Sequence, residues 1–337
     1  MESRTLLITG VSGYIGGSVL SAILRTKDTW AANLKVSALV RSESQATKVR
    51  ELGVSPELFS SFDELDRLEE VGKGFDSVRR QTTNADVHYI QISGTSNLSD
   101  RPYTEGYIDT HVFSDEEDIY SFEKYRESRE TYFQRITDIA VIEEGEAAGV
   151  TTYIVMAPTI FGLGSGPFNR FSMQLPTMIA DALRTGSCSV VSEGDTVWNH
   201  VHIEDLAALH LVLLQHIFRG IKIPSGRKGI YFCETGEHSH LEFSEYLAKA
   251  GHKLGVFPSS KVAKITIQEA GEKWVFGNTS SAELGFASNS RTKAVLARNL
   301  GWAPSHADEW DSTFSTELNE FIKNPPSGRE IPKYLKK

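Results

Sequence analysis

The segment Thr9-Gly10-Val11-Ser12-Gly13-Tyr14-Ile15-Gly16-Gly17 constrains this chain more than any other. It follows an apolar run, Thr5-Leu6-Leu7-Ile8-Thr9. It leads into a stretch where Ile15, Val19, Ala22 and Ile23 share one helical face. A buried strand, a glycine turn and a helix in that order make a βα unit built to hold phosphate. Gly10 permits the tight turn, Gly13 lets backbone approach a pyrophosphate, and Gly16 lets the helix pack close to the strand. The helix start adds free N–H groups and the positive end of its dipole. Gly10, Ser12, Gly13, Tyr14, Ile15 and Gly16 are therefore the expected dinucleotide contacts.

The alternation continues. Lys35–Val40, His88–Ser93 and Thr152–Met156 read as strands, and Ser128–Gly149 as a long helix that stops at its glycine. Such alternation predicts an α/β fold with a doubly wound parallel sheet. A length of 337 residues allows a nucleotide lobe over 1–160 and a smaller substrate lobe over 161–324. Elements near 195–218 return to the first lobe, and 325–337 form a tail. Thirty-five basic against forty-four acidic residues give a net charge of −9, which argues against nucleic acid or an anionic membrane as partner. Cys188 and Cys233 lack metal-ligand spacing, and no segment reads as a leader or a membrane span. A cytoplasmic protein is expected, with no resident metal.

Where the second strand ends, a ribose-binding carboxylate would favour NAD. Val40-Arg41-Ser42 stands there instead. A guanidinium can pair with a 2′-phosphate, so Arg41 and Ser42 point to NADP(H) over NAD.

Three further segments extend the pattern: Ser93-Gly94-Thr95, Ala157-Pro158-Thr159-Ile160-Phe161-Gly162, and Val201-His202-Ile203-Glu204-Asp205-Leu206. Together with the glycine loop they resemble the extended and atypical short-chain dehydrogenase/reductase superfamily, in its NAD-dependent epimerase/dehydratase branch. Gly301-Trp302-Ala303-Pro304 is similar to that family's ending. The resemblance implies a Rossmann-type fold and an NAD(P)-dependent oxidoreductase acting on a small carbonyl or hydroxyl compound. It implies a Ser/Tyr/Lys centre, with Pro158, Thr159 and Ile160 near the nicotinamide, and a homodimer formed through Ser128–Gly149. Two same-fold alternatives stay open: an epimerase or dehydratase, and a non-catalytic NAD(P)-binding sensor or scaffold.

Ser93 matches the serine of that centre. Measured back from Ala157-Pro158, the tyrosine falls at Tyr132, which puts Ile136 at the lysine position. Arg135 is the nearest substitute for the missing positive charge. The rival pair, Tyr120 and Lys124, has the family's spacing but lies before the helix.

The chain also looks short in one place. Arg41–Val87 holds 47 residues, where three helices and two strands need roughly 55–65. A helix fits Ser44–Leu52, a strand Leu58–Phe62 and a helix Asp63–Val71. Phe75–Val78 begins a fourth strand, but Arg79–Asp86 is too short for a helical crossover. The nucleotide lobe is therefore expected to lack part of a βα unit. On the substrate side, Asn169, Arg170 and Gln174 are candidates to reach a polar substrate, His200 and His202 are expected to be structural, and His238 and His240 exposed.

Overall fold

A computed structural model describes residues 4–61, 63, 64, 66–72 and 86–326. The expected strand Phe75–Val78, the segment after it as far as Ala85, and the tail beyond residue 326 lie outside the described residues. In chain order the strands are β1 (Arg4–Ile8), β2 (Leu34–Val40), β3 (Ser55–Leu58), β4 (His88–Gly94), β5 (Val112–Ser114), β6 (Thr151–Ala157) and β7 (Thr159–Phe161). Then come β8 (Cys188–Val191), β9 (Val197–His202), β10 (Ile230–Phe232), β11 (Gly236–Ser239), β12 (Val262–Ile265) and β13 (Arg291–Lys293).

The nucleotide lobe carries two parallel half-sheets. One runs β1-β2-β3, the other β10-β6-β4, as in a Rossmann-type arrangement. β6 runs through the core: Ile154, Val155 and Met156 are fully covered, each contributing about 1.5–3 kcal/mol by leaving water. Among the described residues no strand joins β1 to β4, and both border the same cleft.

Helix Tyr14–Arg25 follows the glycine turn and packs against helix Ile203–Phe218, so Val19, Leu20 and Ile23 share a core with Ala207, Leu214 and Phe218. Helix Phe133–Ala148 covers β4 and β6 and ends at Gly149, whose φ of 68° makes the expected left-handed stop. That helix starts later than the expected Ser128, after the separate helix Ile119–Glu127. The strand expected at Leu58–Phe62 is corrected to Ser55–Leu58. It contains Pro56 and is paired on one side, with β2; an edge position tolerates the missing N–H.

The second lobe gathers β7, β9 and β11 with the helices His240–Lys253 and Trp310–Lys323 around Phe161, Phe243, Trp310 and Phe314. His238 and His240, expected at the surface, are buried there. β11 runs antiparallel to β9 and lays His238 beside His200 and Trp310, and burial holds the His200 and His240 imidazoles down at about 4. No helix among the described residues is long and apolar enough to cross a membrane.

Candidate active site

Backbone geometry supports the reading of the glycine turn. Gly10 sits at φ 70°, and its carbonyl accepts the Gly13 N–H at 2.9 Å. A Cβ on Gly16 would stand 2.4 Å from the Gly10 oxygen, closer than real Cβ atoms come. Gly13 caps the helix without a side-chain hydrogen bond, so no side chain competes with an anion at the helix start. A second glycine contact went unread in the sequence: a Cβ on Gly166 would lie 2.7 Å from Gly17. That crossing seats the loop after β7 on the helix, and the Tyr14 hydroxyl secures it by donating to the Gly162 carbonyl at 2.6 Å.

The turn opens onto a cleft of about 1070 Å³. Gly10, Gly13, Tyr14, Ile15 and Gly16 line it, and so do Ser93, Tyr132, Pro158 and Ile160. The cleft therefore joins the phosphate turn to the two hydroxyls expected to meet a substrate oxygen. Gln134, Asn169 and Gln174 line it too.

Other expected residues lie elsewhere. Ser12 is outside the lining and contributes its carbonyl, which accepts the Asn169 N–H at 3.3 Å. Ser42 caps helix Glu43–Glu51, taking the Gln45 N–H on its hydroxyl at 3.3 Å. Arg41 is exposed at the end of β2, and its guanidinium makes no ion pair among the described residues. Thr159 points inward, 2% exposed, with its hydroxyl unpartnered, because β7 is held in register with His200 of β9. Arg170 turns to the Gly164 carbonyl and Glu320.

Tyr132 precedes helix Phe133–Ala148, and its hydroxyl lies 3.1 Å from Ser96 Oγ and donates to Gln134 Oε1 at 3.2 Å. Burial raises its pKa above the ordinary value and outweighs the Ser96 hydrogen bond and the Arg101 and Arg135 charges, which pull it down. Arg135 does not line the cleft, and it acts on the phenol through its charge from beneath the ring rather than by touching a substrate. Its guanidinium lies over the Tyr132 ring at 5.4 Å and donates to the Asn97 and Glu130 carbonyls and to Glu127. Ile136 is 45% exposed, so nothing fills the lysine position. The rival pair is outside the cleft: Tyr120 and Lys124 both bind Glu143 at the surface, at 2.7 and 2.8 Å.

Ser93 has partners that were not foreseen. Its hydroxyl donates to Asp138, and Asn97 links Asp138 to Glu123. Burial raises the pKa of both carboxyls. The available signal was an acid in the helix six residues after Tyr132, on a face otherwise turned to the core.

The histidine–aspartate segment ties distant backbone together. His202 caps helix Ile203–Phe218, taking the Glu204 N–H at 3.2 Å. Asp205 accepts the Ser305 and His306 N–H groups at 2.9 and 3.0 Å, and its carbonyl takes the Trp302 indole N–H. The His200 ring lies flat on Trp310, 3.8 Å between centroids.

Comparison with known proteins agrees with this geometry. The NAD dependent epimerase/dehydratase family matches residues 106–224. An oxidase, ucsJ, from Acremonium sp. is 23% identical over 90% of this chain and 93% of its own length. A 4-hydroxy-2-methyl-3-oxo-4-farnesyl-3,4-dihydroquinoline-1-oxide ketoreductase from Stigmatella aurantiaca is 33% identical over 27% of each chain. In structure, dTDP-glucose 4,6-dehydratase from Bacillus anthracis, solved with NAD, superposes with a TM-score of 0.59, covering 95% of this chain and 97% of that one at 15% identity. With the glycine turn, the parallel half-sheets and the Ser93–Tyr132 cleft in place, the chain has a Rossmann-like α/β fold whose residues 106–224 are similar to the NAD dependent epimerase/dehydratase family.

Proposed function

We propose that this chain is an NADP(H)-dependent oxidoreductase that reduces a small carbonyl compound or oxidises the matching alcohol. The observation that carries the reading is one continuous cleft holding both the Gly10–Gly16 turn and the Ser93 and Tyr132 hydroxyls. The turn fits a dinucleotide: the Gly16 Cα faces the Gly10 carbonyl with no room for a Cβ, and the helix start is uncapped. Gly10, Gly13 and the first helix N–H groups would hold the pyrophosphate, with Pro158 and Ile160 beside the nicotinamide. The unpaired guanidinium of Arg41 supports a 2′-phosphate.

A bound nicotinamide supplies or accepts the hydride at the substrate carbon. The chain's own part is to manage the oxygen. Ser93 orients it, and Tyr132, a phenol that burial holds more firmly in its neutral form, donates to it as negative charge develops. Arg135 holds the Tyr132 ring in place from beneath.

Tyr132→Phe is expected to lower kcat on an accepted aldehyde or ketone by about 10²-fold or more. Tyr120→Phe, outside the cleft, is expected to leave it within about twofold. Steady-state oxidation of NADPH over a carbonyl panel reads both. Full activity in Tyr132→Phe would remove the tyrosine from the mechanism. Binding of NADPH by the wild type without turnover of any carbonyl or alcohol would favour the non-catalytic reading, to which Ile136 at the lysine position lends support.

A further inference from the structure

Behind Ser93, three elements bring a polar cluster into the core. Asp138 comes from helix Phe133–Ala148, Glu123 from helix Ile119–Glu127, and Asn97 from the turn Thr95–Leu98; all three are fully buried. The Asn97 side-chain nitrogen donates to Asp138 Oδ2 and to Glu123 Oε1, each at 2.8 Å, and stands 3.3 Å from Ser93 Oγ. Ser93 Oγ is itself hydrogen-bonded to the same Asp138 Oδ2. One amide nitrogen with two protons thus faces three acceptors.

Two carboxylates gathered on one amide, out of water, are not both charged at neutral pH. The neighbouring cations are already engaged. Arg101 pairs with Glu130 and Glu283, Arg126 with Glu130, and Arg135 with Glu127 and Glu130. Of these, Arg135 reaches Glu123 as a partial counter-charge, while Glu127 opposes it. Asp138 Oδ1 and Glu123 Oε2 have no hydrogen-bond partner among the described residues, a state that costs far less for a neutral acid than for a carboxylate.

We propose that Asp138, paired with Glu123 through Asn97, is the proton store for carbonyl reduction and acts through the Ser93 hydroxyl. The proposal rests on the reductase reading above and names the source of its net proton. As a hydride from the reduced nicotinamide adds to the carbonyl carbon, the C=O π pair moves onto oxygen. The Ser93 hydroxyl turns from Asp138 to the substrate, that oxygen takes the Ser93 O–H proton, and Ser93 Oγ takes the carboxyl proton from Asp138 Oδ2. The products are an alcohol, oxidised cofactor and an Asp138 carboxylate, which recovers a proton from water through Ser93 once the product has left. Tyr132 keeps its own proton throughout and serves as hydrogen-bond donor to the same oxygen. Asp138 is a positioning residue in this scheme, since it reaches the substrate only through Ser93. The arrangement supplies what Ile136 cannot.

The test uses Asp138→Asn, which keeps the side chain's size and its contact with Asn97, and Ser93→Ala. Infrared difference spectra of the intact protein across a pH titration, without cofactor or substrate, should show the carbonyl stretch of a protonated carboxylic acid persisting at pH 7. The part of the band that belongs to Asp138 should be lost in Asp138→Asn, while any part from Glu123 remains. With NADPH and a carbonyl that the wild type reduces, Asp138→Asn should lower kcat by about 10²-fold, with KM and NADPH affinity within about twofold. Reduction needs the protonated store, so wild-type kcat should fall as pH rises through its titration. That alkaline limb should be missing in both variants. A wild type with no such band at neutral pH overturns the store, and so does an Asp138→Asn enzyme with unchanged kcat and alkaline limb. A wild type that reduces no carbonyl overturns the reductase reading instead, and a band lost in Asp138→Asn would then still support the buried acid.

Discussion

Gly16→Ala is expected to weaken NADPH binding by about 100-fold or more, which corresponds to about 2.7 kcal/mol. The new Cβ would lie 2.4 Å from the Gly10 carbonyl oxygen and 2.7 Å from its carbon, and both are backbone atoms that no rotamer change can move. The helix start has to back away from the turn, and the N–H groups that would face the pyrophosphate lose their aim. Gly10→Ala is the useful contrast. A Cβ there meets nothing within 4 Å, and the penalty is confined to φ 70°, about 1–2 kcal/mol of conformational strain. Titration of both variants by nicotinamide fluorescence separates a steric clash from local strain. Gly16→Ala binding within threefold of wild type would mean that the turn does not hold the cofactor.

The second large effect is on stability. Gly162→Ala should lower unfolding free energy by about 3 kcal/mol, summing the cost of a left-handed alanine with that of overpacking. Gly162 stands at φ 89°, and its Cβ would fall 2.1 Å from His202 Nε2. The imidazole has little freedom to yield: it stacks on His306 at 4.7 Å, packs edge-on to Phe161 at 5.1 Å, and caps its helix. The Gly162 N–H donates at 2.9 Å to Glu317, a buried acid whose second oxygen is already unpartnered. Moving the loop therefore also strips a hydrogen bond from the core. Denaturant unfolding checks the figure, and an unchanged midpoint would show that the loop relaxes freely.

Much of this was visible in the chain itself, for physical reasons that differ by element. β1, the glycine turn and helix Tyr14–Arg25 were legible because an apolar run, spaced glycines and a 3.6-residue apolar period are all local. Trp310–Lys323 was legible for the same reason. β3 was misplaced because an edge strand of sequence Ser-Pro-Glu-Leu has neither apolar alternation nor a complete set of N–H groups. The expectation that part of a βα unit is missing between Arg41 and Val87 falls on a stretch of which 73–85 lies outside the described residues.

The candidate site divides in the same way. Tyr132 could be placed from the distance to Ala157-Pro158 and Ser93 from the end of its strand, and both line the cleft. Arg135 could not be judged, because its partners Glu127 and Glu130 precede its helix and Asn97 arrives from another turn. The burial of His238 depends on Trp310, more than seventy positions away. The Asp138–Asn97–Glu123 cluster draws on three separate elements, and no spacing rule links them.

The central claim is that the cleft takes a phosphorylated nicotinamide dinucleotide for use in carbonyl chemistry. Titrating the purified chain with NADPH and with NADH, followed by nicotinamide fluorescence, tests it most directly. The account predicts saturable NADPH binding, about tenfold or more tighter than NADH, with the difference largely lost in Arg41→Ala, since one charge-assisted pair to phosphate is worth roughly 1.5–3 kcal/mol. A clear preference for NADH would contradict the role of Arg41, and failure to bind either dinucleotide would contradict the account as a whole.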